Sequence, residues 1–216
     1  MVAATQRPAA HPSGGMGLAS LTLDFAERGL LIALYLMLFQ RLLPSLGREP
    51  LNTLLLISES IVVGFVVFRR TTLTVTKNPL DWLMALAGTI PPLFLRPGGH
   101  PLAPPLVGAL MMTAGVLIHV WAKLALRRSF GMAAANRGVK IEGPYRVVRH
   151  PMYVGYAITW AGFVLLNPTW LNAGLCLFAA AMQVMRILAE ERLLAADSAY
   201  RAYTTRTKFR ILPGIF

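Results

Sequence analysis

Residues 143–155 read Gly-Pro-Tyr-Arg-Val-Val-Arg-His-Pro-Met-Tyr-Val-Gly, placing a turn, two arginines, a histidine and two tyrosines at the entry to a long apolar run. Pro151 suits the first position of a helix, where its fixed φ is pre-organised and its missing N–H costs nothing. A helix starting there presents free backbone N–H groups and a partial positive charge, so an anionic group such as a carboxylate can bind. An interfacial anchor uses the same residue types, because tyrosine and arginine favour the headgroup level of a bilayer. Residue types alone leave both readings open.

Three further features carry ionisable groups into apolar surroundings. Arg186 and Glu190 are four residues apart, hence on one helix face, in the segment Arg186-Ile187-Leu188-Ala189-Glu190-Glu191-Arg192. Charges at the end of an apolar helix are costly unless they are paired or face a polar cavity, so a helix-end salt bridge and a functional site both fit. Tyr200-Arg201-Ala202-Tyr203 and the following Lys208–Gly214 stretch read as a basic, aromatic segment lying on a membrane, as anchor or as lid. Glu59 and His119 fall inside apolar runs, where an ionisable residue is a functional candidate by default. For His119, a hydrogen bond between helices is the plainer expectation.

Several chemistries are excluded. There is no Walker A loop, no Gly-x-Gly-x-x-Gly and no His-Glu-x-x-His. Four scattered histidines make a poor metal set, and the single Cys176 lies in an apolar run and supplies neither a disulfide nor a thiolate site. No metal is expected.

The elements that must position these residues follow from composition. The chain has 216 residues, 56% hydrophobic and 14% charged, against about 25% charged in an ordinary soluble domain. Its 21 Lys and Arg outnumber 9 Asp and Glu, but they sit in short segments between apolar runs and not over a soluble fold. That pattern argues against nucleic acid and for the cytoplasmic leaflet. Residues 1–22 are rich in Ala, Pro, Gly and Ser and read as a disordered tail. Residues 23–105 read as N-terminal membrane helices, with runs at Phe25–Leu43, Leu51–Phe68 and Leu80–Leu95, the last broken near Pro91-Pro92. Residues 106–216 read as the catalytic membrane domain, with a span at Leu106–Leu126. The run Tyr153–Ile187 is too long for one helix, and Asn167-Pro168 splits it into two closely packed helices. The fold expected is an all-α polytopic transmembrane bundle of five to six membrane helices, the last two a helical hairpin. Basic residues number three in Arg69–Lys77, six in Arg127–Arg149 and six in Arg186–Arg210, while the opposite connections hold only Arg41, Arg48 and Arg96. The positive-inside rule then puts both termini and the active site on the cytoplasmic side of an integral membrane protein.

Taken together, Gly-Pro-Tyr-Arg-x-x-Arg-His-Pro-Met-Tyr-x-Gly, Asn-Pro, Arg-x-x-x-Glu-Glu-x-x-Leu, Tyr-x-x-Tyr and Ile-Leu-Pro-Gly, in this order over about residues 110–216, resemble the isoprenylcysteine carboxyl methyltransferase family. The resemblance implies a membrane-embedded methyltransferase that uses S-adenosyl-L-methionine. It implies cofactor contacts at Arg137, Gly138, Val139, Lys140, Tyr145, His150, Pro151, Met152, Tyr153 and Glu190, with Arg186 facing the methyl acceptor. The family often has a histidine where Arg137 stands here. A lipophilic or lipid-modified carboxylate is the acceptor this implies, alongside contact with membrane lipids. Phospholipid N-methylation is the alternative within the class. A nicotinamide-dependent membrane reductase is a further one, because sterol reductases share a similar C-terminal arrangement on much longer chains.

Overall fold

The computed structural model describes residues 18–45, 50–68, 76, 78–126 and 139–214, and among these there are helices, turns and no strands. The helices are α1 (Leu18–Leu42), α2 (Pro50–Val67), α3 (Pro79–Thr89), α4 (Pro105–Leu126), α5 (Pro151–Leu166), α6 (Trp170–Leu194) and α7 (Ser198–Arg206). The all-α expectation holds for the described residues. Helix α1 begins at Leu18, inside the segment read as a tail, because Leu18, Leu21 and Leu23 continue its apolar run.

Among the described residues, α4 and α6 are long and apolar enough to cross a membrane, while α5 is apolar but only 16 residues long. The expected five to six crossings are therefore not all realised as long helices. Helix α3 is the clearest departure. It has 11 residues, about 16 Å of helix against a hydrocarbon core of about 30 Å. Asn78 caps its start by accepting from the Leu80 N–H, and Pro79 occupies the first turn. The proline pair then converts the chain into a 3-10 turn at Pro91–Phe94, as the missing N–H groups require.

The partner of α5 also differs from expectation. The turn after Leu166 is where the sequence places it, and it is well built. Thr169 accepts from the Asn172 N–H, and the buried Asn172 amide donates to the carbonyls of Asn167 and Arg96, both at 2.8 Å. Yet α5 packs mainly on α4, and α6 mainly on α3, with only sparse contact between α5 and α6. Glycine spacing explains the choice. Gly108 and Gly115 on α4 face Gly162 and Gly155 on α5. A Cβ added at Gly155 would stand 2.6 Å from the Gly115 carbonyl oxygen, and one at Gly162 would stand 2.8 Å from that of Gly108. Without side chains between them, the two backbones touch, which is how helices associate in lipid.

Helix α6 is tied to α3 by polar groups instead. Gln183 Nε2 donates to the Gly88 carbonyl at 3.0 Å, and Arg192 pairs with the buried Asp81 at 2.9 Å. Helix α2 also packs on α4. Segments 23–105 and 106–216 are thus interlocked.

Candidate active site

The site grows from the start of α5 and the charged end of α6. His150 is the N-cap residue of α5, in a non-helical conformation with no side-chain capping bond, and Pro151 follows as the first helical residue. The C-terminal tail holds this corner: the N–H groups of Arg149 and His150 donate to the carbonyls of Phe209 and Arg210, at 2.9 and 2.8 Å. Ahead of the corner, Gly143 takes φ of +59°, a left-handed turn that favours glycine. The short 3-10 turn that follows, Gly143–Arg146, buries Pro144 and Tyr145.

Four residues singled out in the sequence come together. The Tyr153 hydroxyl donates to Glu190 Oε1 at 2.6 Å. His150 Nδ1 lies 3.7 Å from the second oxygen of the same carboxylate. Arg186, one turn back on α6, stacks over the Tyr153 ring with its guanidinium carbon 5.5 Å from the centroid. Arg186 Nη1 also donates to Gln183 Oε1 at 3.0 Å. Arg186, His150, Met152 and Tyr153 are buried, whereas the Glu190 side chain keeps 23% of its surface. Tyr145 is buried nearby. Burial, reinforced by the Glu190 carboxylate, pushes its phenol well above the ordinary range, so it remains a protonated donor. Val139 packs against this core, and Lys140 is exposed. Arg137 and Gly138 lie outside the described residues.

Glu191, adjacent to Glu190, was given no role by the sequence, and it is the most connected carboxylate here. It binds Arg149 Nε at 2.8 Å, Arg210 Nε at 2.7 Å and His150 Nε2 at 3.2 Å. It thereby joins α6, the entry to α5 and the C-terminal tail. Helix α7 completes the clamp. Burial pushes the Tyr203 phenol up to about 12, and its hydroxyl donates to the Tyr145 carbonyl at 2.6 Å. The Glu-Glu pair was visible in the sequence, but helical spacing alone does not say which member clamps and which stays accessible.

A second polar group lies deeper. Lys123 of α4 is fully buried and binds Glu59 of α2 at 2.7 Å, with its ammonium 5.4 Å from the Tyr156 ring centroid. Tyr156 meets the Tyr153 ring edge-on at 6.3 Å, which links this pair to the site. The sequence flagged Glu59 but not Lys123, although the rule about intramembrane ionisable residues applies to both. The expectation of a hydrogen-bonded His119 fails. Neither ring nitrogen has a hydrogen-bond partner among the described residues, and the ring packs on Tyr156 at 5.0 Å. On α1, Asp24 and Glu27 are also buried, and Glu27 lies within electrostatic reach of Arg186.

Helices α4 and α6 are long and apolar enough to cross a membrane, and ion pairs such as Lys123–Glu59 and Arg149–Glu191 gather between helices, an arrangement that fits a membrane protein. Residues 104–201, from α4 into α7, match the family model described as phospholipid methyltransferase. This region is similar to that family, which sits within the isoprenylcysteine carboxyl methyltransferase superfamily of membrane methyltransferases that use S-adenosylmethionine. Among curated proteins, none matches the chain. No group of side chains among the described residues is arranged to hold a metal ion.

Proposed function

We propose that the chain transfers a methyl group from S-adenosylmethionine to a lipophilic acceptor at the cytoplasmic end of the bundle, with a carboxylate as the acceptor group. The observation that carries this reading is the Tyr153–Glu190 hydrogen bond of 2.6 Å beneath the stacked Arg186 guanidinium. It brings a partly exposed carboxylate to the hydroxyl and a cation to the ring face of one tyrosine. The donor set suits the cofactor. Glu190, whose side chain is still partly exposed, accepts from hydroxyl or ammonium groups. Val139, Lys140, Tyr145 and His150–Tyr153 complete the proposed contacts, together with Arg137 and Gly138, which precede them in the sequence.

Bound S-adenosylmethionine would supply a methyl already activated by its sulfonium. The protein's own task is alignment and exclusion of water, and orientation of this kind supplies up to about 7–11 kcal/mol. Arg186 holds the acceptor carboxylate through a planar, two-point contact. Tyr153 fixes both neighbours, since its hydroxyl orients Glu190 and its ring supports Arg186.

A second reading, methylation of a phospholipid amine, rests on the description of the matching family model, phospholipid methyltransferase. Incubating purified protein with methyl-labelled S-adenosylmethionine and membrane lipid extract decides between them. A methyl ester releases labelled methanol in mild alkali, whereas an N-methyl group survives. Base-stable label alone would replace the carboxylate reading with the amine one, and no label would reject both. Arg186→Ala and Glu190→Ala should each abolish transfer while leaving the protein inserted. Full activity in either variant would remove that residue from the site.

A further inference from the structure

On the outer side of α6, turned away from Glu190, a cleft of about 410 Å³ opens between α6, α7 and the C-terminal tail. Arg149, Arg192, Arg201 and Arg210 line it, and Glu191 is the only carboxylate among its walls. Several of these arginines already have intramolecular work. Arg149 binds Glu191 and the Thr207 carbonyl, and Arg201 reaches the carbonyls of Ala195 and Ala196 at the end of α6. A guanidinium has five N–H donors, so such bonds leave others to face the cleft. The Arg192 side chain is 68% exposed even while paired to Asp81. Four arginines against Glu191 and the Asp81 carboxylate paired to Arg192 leave an excess of positive charge, and arginine forks match phosphate oxygens in particular.

The lower lip of the cleft says which anion. Leu188 closes it on the α6 side and is itself exposed. Below Leu188, an apolar track of exposed residues continues along the same helix through Met185 and Val184 to Leu177. From Leu188 to Leu177 the helix rises about 16 Å, comparable with one leaflet of a hydrocarbon core of about 30 Å. A soluble phosphate would have no use for that track. A phospholipid would occupy both parts, with its headgroup among the arginines and an acyl chain along α6.

We infer that this cleft is a binding site for an anionic phospholipid of the cytoplasmic leaflet, separate from the transfer site across α6. The bound headgroup bridges α6, α7 and the tail, and so steadies the same corner that Glu191 clamps.

The test uses the full chain purified in neutral detergent, followed by native mass spectrometry and thermal unfolding. Phosphatidylglycerol should bind about tenfold more tightly than phosphatidylcholine and raise the unfolding temperature. Equal binding of the two lipids overturns the site. Glycerol 3-phosphate serves as the headgroup without the chain. If it protects as well as the lipid at equal concentration, the cleft is a soluble-phosphate site and the lipid assignment fails. Arg201→Gln and Leu188→Glu should each abolish the preference for phosphatidylglycerol. A preference unchanged in both would place the lipid elsewhere and also overturn the proposal. The comparison of headgroups on the unaltered protein stands even if a variant fails to fold.

Discussion

Helices α5 and α6 carry the two sides of the proposed transfer site, and unlike forces hold them. Helix α5, with His150 and Tyr153 at its start, lies against α4 through glycines, backbone on backbone. That contact is dispersion and shape, indifferent to salt and charge. Helix α6, with Arg186 and Glu190, is held by side-chain polar groups: Gln183 on Gly88, Arg192 on Asp81, and Glu191 among Arg149, His150 and Arg210. The α5 side is therefore fixed by steric fit and the α6 side by charge pairing. A rigid surface facing a charge-held one is a workable way to admit two substrates, because only the second can reorganise without parting packed backbones.

The largest expected effect comes from breaking the charge-held side. Glu191→Ala would leave the Arg149 and His150 side chains, 9% and 7% exposed, without the carboxylate they share. Removing one partner of a buried pair costs about 3–5 kcal/mol. Denaturant unfolding in detergent should show a loss of that size, accompanied by loss of cofactor binding. Parent-like unfolding would mean that α6 is held in some other way. Next is Tyr153→Phe. Taken as a packing residue, Tyr153 would tolerate phenylalanine. Its 2.6 Å bond to a carboxylate predicts otherwise. Bonds to charged groups contribute about 1.5–3 kcal/mol, or roughly ten- to a hundredfold in transfer rate. Unaltered kcat/KM would show that Glu190 needs no help from Tyr153.

Much of this comparison can be read from the sequence at the level of elements and little of it at the level of partners. Apolar length places α4 within one residue of Pro105–Leu126, and Asn167-Pro168 marks the break between α5 and α6. Proline chemistry marks the end of α3, although not how short that helix is. Helical spacing puts Arg186 and Glu190 on one face, and the structure brings Tyr153 and His150 to them. Contacts over long separations have no local signature. Lys123 meets Glu59 across 64 residues, and Arg192 meets Asp81 across 111. The seam of α4 and α5 was legible in principle, since Gly108 and Gly115, and Gly155 and Gly162, each recur after one heptad. Proximity in the chain instead suggested α5 with α6, and close packing of glycine backbones overrode it.

The steric side can be probed by a pair of identical substitutions. In Gly155→Ala, the new Cβ would meet the Gly115 oxygen at 2.6 Å and the His119 Cβ and nitrogen at 2.7 Å. Two of these three atoms are backbone and cannot turn aside, so α4 and α5 must separate. Overpacking of this kind costs about 1–3 kcal/mol, and denaturant unfolding should record it at low and high salt alike. Gly174→Ala is the control on α6. Nothing lies within 4 Å of a Cβ at Gly174, and the residue sits exposed within the helix. Alanine there should stabilise by about 0.5–1 kcal/mol, the backbone freedom that glycine loses on entering a helix. A loss instead would mean that the outer end of α6 is packed through glycine as α5 is, and the division between a steric helix and a charge-held one would then apply only to the charged end.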